Sequence, residues 1–275
     1  MELTVGLFVI VLLLGFCCEF VDSSLGMGYG TILSPTLLLF GFGPELVVPA
    51  ILITQAAGGL AATVYHHRYA NADFSTGSRD LRIVVLLSCL GILATGAAAF
   101  ISVNMSKEVI RTYIGALITV MGLLMLSNRK FQFSWRKMVG VGLLSAFNKG
   151  ISGGGFGPVV TAGQVISGQN HKNAIGVTTF AEGPICVAGF LSYLLASAAK
   201  ASSVSLWYLP FPEFMQLCAA AVRWDLVLAL GLGTMMAAPI GPLFTRSMNS
   251  RWVVPVLGAI ITVLGVLTLV LRIKT

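Results

Sequence analysis

NKGISGGGFGPVVTAG, residues Asn148–Gly163, sets a lysine and a run of glycines between two apolar stretches of the chain. Alternate glycines permit positive φ angles and let another group approach the backbone closely. An ammonium group in apolar surroundings normally faces a cavity or a counter-charge. The segment therefore predicts a glycine-rich break in the helical structure, with Lys149 in it and a cavity beside it.

The composition around this segment is that of a polytopic membrane protein. Of the 275 residues, 56% are hydrophobic and 10% are charged, whereas about 25% charged residues is usual in soluble domains. Several apolar runs approach the roughly 20 residues that cross about 30 Å of hydrocarbon. These runs are Leu3–Val21, Leu46–Val64, Ile83–Val103, Val109–Ser127, Ala174–Ala199, Leu226–Phe244 and Val253–Leu271. The predicted fold class is an all-α polytopic membrane protein without a soluble domain.

The net charge of +7 does not indicate a nucleic-acid partner, because lysines and arginines fall in short connectors rather than along one face. Lipid headgroups and the positive-inside rule explain them better. Two connectors hold the densest clusters and are expected in the cytoplasm: Arg68, Arg79 and Arg82, and Arg129, Lys130, Arg136 and Lys137. The acidic N-terminal end favours Leu3–Val21 as a retained membrane helix rather than a cleaved signal peptide.

The sequence repeats itself at a shift of 127 positions. GMGYGTILSP, residues 26–35, then aligns with GGGFGPVVTA, residues 153–162. The alignment has no gap from Gly15 to Ala61, and its pairs include Gly28 with Gly155, Tyr29 with Phe156, Gly41 with Gly168 and Gln55 with Glu182. Secondary transporters are commonly built from two copies of one unit. We therefore divide the membrane domain into a first repeat, residues 1–135, and a second repeat, residues 136–275.

Each repeat is predicted to begin with a segment broken by a glycine loop, followed by three membrane spans. The arms after the loops, Thr31–Phe40 and Pro158–Ile166, have about 10 residues, which is roughly 15 Å of helix. A re-entrant hairpin plus three crossings is an odd-numbered unit, so the second repeat would be inverted. Alternatively, each opening segment is one broken span, which gives eight crossings in two parallel repeats. The short arms favour inversion.

Each glycine loop is expected to lead into a helix N-terminus, for which Pro158 suits the first position. Such an end offers unpaired N–H groups and the positive end of the helix dipole, so two facing ends would cradle an anion. The alternative is that the glycines serve only helix packing. The predicted binding residues in the loops are Gly28, Tyr29, Gly30, Thr31, Gly154, Gly155, Phe156 and Gly157.

Asn148 and Lys149 complete the predicted binding residues of the second loop. Lys149 aligns with Asp22, so the repeat brings opposite charges to related places. Two alternatives remain open at this point. Either Lys149 and Asp22 pair near the pseudo-twofold axis, or Lys149 binds the anion while Asp22 caps its own loop.

Glu182 lies in the middle of an apolar span, at the position that aligns with Gln55. A desolvated carboxyl group favours its neutral form, so Glu182 could exchange a proton during transport. The alternative is a permanently protonated or hydrogen-bonded structural glutamate. We take Glu182 and Asp22 as proton-coupling candidates and Gln55 as a binding candidate. Glu19, one turn before the first loop, is a secondary candidate.

Other features of the chain are expected to carry no chemistry. The five cysteines lack C-x-x-C spacing and a histidine partner, so they are interpreted as small core residues, and neither a metal site nor a cofactor is expected. His66, His67 and His171 lie at span ends beside basic residues and are expected at the membrane interface. The segment between Ala196 and Arg223, which contains Trp207 and Tyr208, is predicted to be an interfacial loop or short surface helix.

FNKGISGGGFGPVVTAGQVISG, residues 147–168, together with the paired glycine loops and the Glu182 span, resembles the TauE/SafE family of membrane anion transporters, often called sulfite exporters. The likeness covers essentially the whole chain, and its most specific part is Asn148–Gly168. It implies that sulfite, sulfoacetate or a related organosulfonate moves outward across the bacterial cytoplasmic membrane. One departure is Asp22-Ser23-Ser24 in the first loop against Lys149-Gly150-Ile151 in the second, so the halves need not contribute equally.

The predicted function is therefore a secondary transporter, and not an enzyme, that exports a small oxyanion by alternating access. The expected partners are the anion, protons as a candidate coupling ion and membrane lipid, with a monomer or a homodimer left open. An anion channel is one alternative, although a channel would be expected to show rings of basic side chains. A small carboxylate as cargo is another. No nucleophile–base pair typical of an enzyme is evident.

Overall fold

The computed structural model describes residues 4–127, 135–166, 169–202, 206–245 and 250–271. Within these ranges the regular structure is helical, and no strand is formed. The helices are α1 (Val5–Leu25), α2 (Tyr29–Leu39), α3 (Pro44–Arg68), α4 (Arg79–Asn104), α5 (Lys107–Leu126), α6 (Trp135–Ser152), α7 (Gly157–Ile166), α8 (His171–Ala201), α9 (Phe211–Ala220), α10 (Trp224–Ala237), α11 (Gly241–Phe244) and α12 (Ser250–Val270). The predicted all-α class is confirmed.

Capping side chains and a left-handed glycine define several helix ends. Ser78 caps α4 by accepting a hydrogen bond from the Leu81 N–H at 3.1 Å, and Asn170 caps α8 by accepting one from the Lys172 N–H at 3.0 Å. Such side chains satisfy donors that have no partner within the helix. Helix α1 ends at Gly26, which adopts a left-handed conformation with φ 70°. The apolar runs therefore become separate helices with defined ends.

Most of the predicted spans correspond to helices long enough to cross a membrane. Among the described residues these are α1, α3, α4, α5 and α8, and the pair of α9 and α10 adds a sixth candidate if it counts as one span, although it is bent by 68°. The run Val253–Leu271 forms most of α12. The prediction of one continuous span at Leu226–Phe244 is wrong, because α10 ends at Ala237, shortly before Pro239 and Pro242. Proline lacks the N–H that would continue the helix.

The two arms after the glycine loops are short, as predicted. Helix α2 has 11 residues and α7 has 10. The placement of Lys149 inside a loop is corrected, because α6 continues to Ser152 and includes Asn148 and Lys149 in its last turn. The second glycine loop is therefore only the four residues between Ser152 and Gly157.

Each opening helix packs against the other half of the chain. Helix α1 contacts α10, whereas α6 contacts α4; α3 contacts α8, and α5 contacts α12. A pseudo-twofold relation would generate this exchange, since α1 and α4 of the first repeat correspond to α6 and α10 of the second. The inverted orientation and the division at residue 135 stay predictions.

The insertion, the cysteines and the basic residues agree with the sequence predictions only in part. The insertion contains the short helix α9 and the exposed Tyr208, and its place at the membrane interface stays a prediction. Cys18, Cys186 and Cys218 are buried, but Cys17 and Cys89 are exposed on helix surfaces, so the core interpretation is wrong for those two. Arg68 at the end of α3, and Arg79 and Arg82 at the start of α4, are exposed. Gly168, Arg129 and Lys130 lie outside the described residues, as do the side chains of Arg136 and Lys137.

The two glycine loops contact each other backbone to backbone. A Cβ atom on Gly30 would collide with the carbonyl oxygen of Gly153, and one on Gly157 would lie 2.5 Å from the carbonyl oxygen of Gly26. At the shift of 127, Gly30 aligns with Gly157 and Gly26 with Gly153, so the same contact occurs twice. No side chain larger than hydrogen fits at either place.

We predict that Gly30→Ala destabilises the protein by about 1–3 kcal/mol or more, because overpacking against a backbone carbonyl cannot be relieved by a rotamer change. The control is Gly140→Ala in α6, where an added Cβ meets nothing within 4 Å and alanine favours the helix by up to about 1 kcal/mol. Thermal unfolding of the detergent-purified variants measures both effects. Equal melting temperatures for the two variants would contradict the loop contact.

Candidate functional site

Positive φ angles mark the two glycine loops at matched positions. Gly26 and Gly28 have φ values of 70° and 133°, and Gly153 and Gly155 have 75° and 89°. These are the left-handed region and its margin, which residues with a side chain rarely adopt. The loops therefore turn the chain sharply after α1 and after α6, and direct the starts of α2 and α7 toward the same place.

Hydroxyl groups connect each short helix to the opposite loop. Ser34 of α2 donates a hydrogen bond to the carbonyl oxygen of Ser152 at 2.6 Å, and Thr161 of α7 donates one to the carbonyl oxygen of Gly26 at 3.0 Å. Ser34 and Thr161 align at the shift of 127. Each bond satisfies a carbonyl group at the C-terminal end of the opening helix of the other half, which is α6 for Ser34 and α1 for Thr161. Carbonyl groups at a helix end lack donors within their own helix.

Asp22, in the last turn of α1, caps the start of α2. Its Oδ1 atom accepts a hydrogen bond from the backbone N–H of Tyr29 at 3.1 Å. One of the two alternatives drawn from the sequence included this role for Asp22. The carboxylate also lies at the positive end of the α2 dipole, which favours its negative charge.

Lys149 is 1% exposed, and its counter-charge is Glu182. The ammonium Nζ lies 3.2 Å from Oε1 of Glu182 and donates to Oε1 of Gln55 at 2.8 Å. Neither sequence alternative for Lys149 included this ion pair. The alignment did not indicate this pair, because it relates Lys149 to Asp22 and not to Glu182.

Gln55 connects the three charged residues. Its Nε2 donates to Oε2 of Glu182 at 2.7 Å and to Oδ2 of Asp22 at 3.2 Å, while its Oε1 accepts from Lys149. Gln55 and Glu182 align in the repeat and bond to each other, as expected for two residues beside a pseudo-twofold axis. We call Asp22, Gln55, Lys149 and Glu182 the central cluster.

The central cluster borders a small space that has no room for a water molecule. Its lining comprises Asp22, Gly28, Tyr29, Gly30, Thr31, Gln55, Lys149, Gly154, Gly155, Gly157, Pro158 and Glu182. The starts of both α2 and α7 thus meet the central cluster. A ligand can enter only when the cluster rearranges.

Two of the predicted binding residues lie outside this lining. Phe156 belongs to an apolar cluster that includes Ile83, Val84 and Leu87. Asn148 accepts a hydrogen bond from the hydroxyl of Tyr113. The structure therefore brings together the other predicted residues but not these two, and whether any of them binds substrate stays a prediction.

Sequence reasoning missed several buried polar groups. His66, expected at the interface, is fully buried in the last turn of α3, where Asn71 Nδ2 lies 3.3 Å from its Nδ1. Close packing of α3 against Gly176 of α8 encloses it. The hydroxyl of Tyr29 contacts those of Thr54 and Thr234. Among the described residues, no group of three or more His, Cys, Asp or Glu side chains could hold a metal ion.

The comparison with known proteins agrees with this architecture. The family model described as "Sulfite exporter TauE/SafE" matches residues 11–268. The chain belongs to this family. TauE/SafE proteins are membrane transporters rather than enzymes, and the family implies a small anionic substrate. With its long apolar helices, this TauE/SafE member is an integral membrane protein of the bacterial cytoplasmic membrane.

The chain is also similar to "Probable membrane transporter protein YtnM" of Bacillus subtilis (strain 168). The two are 23% identical over 269 residues, which covers 94% of this chain and 81% of the relative. No solved structure matches the chain. The assignment to TauE/SafE therefore rests on the family match across nearly the whole chain.

We predict that Lys149→Met destabilises the protein by about 3–5 kcal/mol, because it leaves Glu182 as a buried charge without its partner. The double variant Lys149→Met/Glu182→Gln removes both charges and should recover much of this loss, since Gln55 can still bond to the new amide. Unfolding of the purified variants in detergent measures the difference. Strictly additive effects of the two substitutions would contradict the ion pair.

Proposed function

We propose that this TauE/SafE protein is a secondary transporter that exports a small oxyanion, sulfite or a related organosulfonate, by alternating access. The anion is held between the starts of α2 and α7 and the ammonium of Lys149. The observation that carries the proposal is the burial of Lys149 at a space lined by both helix starts. A buried ammonium in a membrane protein ordinarily marks a substrate or ion pathway.

The chemistry of this space suits a small, multiply hydrogen-bonding anion. The first turns of α2 and α7 offer backbone N–H groups, and the helix dipoles favour negative charge there. Lys149 supplies a point charge with three donors. An oxyanion can accept from all three sources at once, since its oxygens point in different directions. A carboxylate has only two oxygens and would use fewer of these donors.

Glu182 competes with the anion for Lys149. With both carboxylates ionised, the central cluster carries one positive and two negative charges, so an entering anion meets net repulsion. A proton on Glu182 removes one negative charge and frees the ammonium from its 3.2 Å contact. Proton binding and anion binding therefore reinforce each other, and by linkage the effect is reciprocal.

Alternating access in this proposal is a rocking movement about the contact between α3 and α8. These helices pack together and carry Gln55 and Glu182, which bond across the contact. The two opening hairpins are each packed against the opposite half. A tilt of one half against the other would therefore separate the glycine loops on one side of the membrane at a time.

We predict that purified protein in liposomes catalyses saturable counterflow of sulfite and that Lys149→Ala weakens oxyanion binding about 10- to 100-fold, the loss expected for a charged hydrogen bond. Lys200→Ala is the matched control, because Lys200 is exposed and donates to the carbonyl oxygen of Val103, away from the cluster. Unsaturable current without exchange would instead indicate an anion channel. Unchanged affinity in Lys149→Ala would remove Lys149 from the binding site.

We also predict that the affinity for an organosulfonate rises as the pH falls, because protonation of Glu182 releases Lys149. Glu182→Gln imitates the protonated side chain, so its affinity should be high and independent of pH while exchange persists. Isothermal titration of the detergent-purified protein across the pH range measures this dependence. Equal pH dependence in the wild type and Glu182→Gln would show that Glu182 is not the titrating group.

A further inference from the structure

Glu19 of α1 is a second buried carboxyl group, outside the lining of the central space. It is fully buried, and neither carboxyl oxygen has a hydrogen-bond partner among the described residues. The carboxyl group packs against Gly58 of α3, where an added Cβ would lie 3.1 Å from both Cδ and Oε2 of Glu19. An ionised carboxylate without donors is so unfavourable in such a place that the group takes up a proton instead.

Packing alone does not require a glutamate at this position, because the other half of the protein has apolar side chains at the equivalent place. At the shift of 127, Glu19 and Gly58 align with Ala146 and Ile185. Ala146 and Ile185 belong to one apolar cluster and both contact the surface of Gly91. A small residue and a large apolar residue thus pack this site without a polar atom.

The polar character extends beyond Glu19. The Tyr29 hydroxyl lies 2.7 Å from Oγ1 of Thr54 and 3.0 Å from Oγ1 of Thr234, and Thr234 also packs against Gly58. The residues that align with Tyr29 and Thr54 are Phe156 and Ala181, both in the apolar cluster. One half is therefore polar where its counterpart is apolar, so packing alone does not require these polar groups.

These hydroxyls do not form a ready cage for a metal cation. Thr54 donates to the carbonyl oxygen of Ala50 at 2.7 Å, and Thr234 donates to that of Leu230 at 2.5 Å. Neither contacts the Glu19 carboxyl group within hydrogen-bond distance, since that group has no such partner among the described residues. A bound cation would need several oxygens directed at one point. A proton needs only the carboxyl group.

Glu19 is close enough to the central cluster to act with it. Asp22 lies three residues further along α1, on the same face of the helix. The charged and titratable groups around Glu19 are Cys18 and Asp22 on its own helix, Tyr29 on α2, Glu182 on α8 and Lys149 on α6. On the packed faces of α3 and α10 its neighbours are Gly58 and Thr234, neither of which titrates.

We propose that Glu19 is a second proton-binding site of the transport cycle, which exchanges its proton with the central cluster through Asp22. The inference rests on the proposed function. In the open state, water enters between the two carboxyl groups and carries the O–H proton of Glu19 to a carboxylate oxygen of Asp22, from which it passes to the solvent. Glu19 is ionised only while it is hydrated in this way. The cycle then carries two protons with each oxyanion, one on Glu182 and one on Glu19.

The test is the number of protons moved per organosulfonate, measured as the pH gradient that balances a known anion gradient in liposomes. We expect two protons in the wild type and one in Glu19→Gln, with anion affinity within about twofold of the wild type. Glu213→Gln is the matched control, because Glu213 is an exposed glutamate on α9, and it should keep two. Glu19→Asp retains the carboxyl group and should also keep two.

The possible results distinguish a failure of the Glu19 proposal from a failure of the proposed transporter function. Absence of counterflow in the wild type would overturn the proposed transporter itself. Counterflow with fewer than two protons per anion in the wild type overturns the role of Glu19 without any variant, so the test does not depend on the folding of Glu19→Gln. An unchanged ratio in folded Glu19→Gln, or a requirement for a sodium gradient that this variant abolishes, overturns it as well.

Discussion

The central constraint on this protein is that backbone groups of a broken helix must be paired inside an apolar environment. The two glycine loops bury each other, because the backbone of one half packs against that of the other at Gly30 and Gly153 and again at Gly157 and Gly26. Ser34 and Thr161 satisfy carbonyl groups across the same contact. Asp22 and Lys149 each stand four residues before the first left-handed glycine of their loops, so the contact brings both to the same space.

The two halves bring side chains of opposite charge to this space, and the different contacts of these charges determine the chemistry of the site. Lys149 faces Glu182, while Asp22 caps α2, and Gln55 connects all three. Removing one member of a buried ion pair is far more costly than neutralising both. A ligand that displaces Glu182 from Lys149 must therefore arrive with a proton, and this requirement couples the anion to protons in the proposed cycle.

Two similar backbone frameworks carry different side chains in the two halves. The loops share their positive φ positions, yet Asp22 stands opposite Lys149, Tyr29 opposite Phe156, and Glu19 opposite Ala146. The second half shows that hydrocarbon is sufficient for packing at the places of Tyr29 and Glu19. Repetition therefore provides an internal control, in which polar side chains without a polar counterpart are candidates for function.

Composition and internal repetition by themselves determined the all-α membrane class, the short arms of the loops and most residues of the lining, because hydrophobic run length and glycine spacing are local properties. The partner of Lys149 was decided only by tertiary structure. The alignment relates Lys149 to Asp22 and Glu182 to Gln55, but it does not determine which of these four side chains contact one another. The burial of His66 and the isolation of Glu19 likewise depend on how α3 packs against α8 and α1, which no local pattern of residues records.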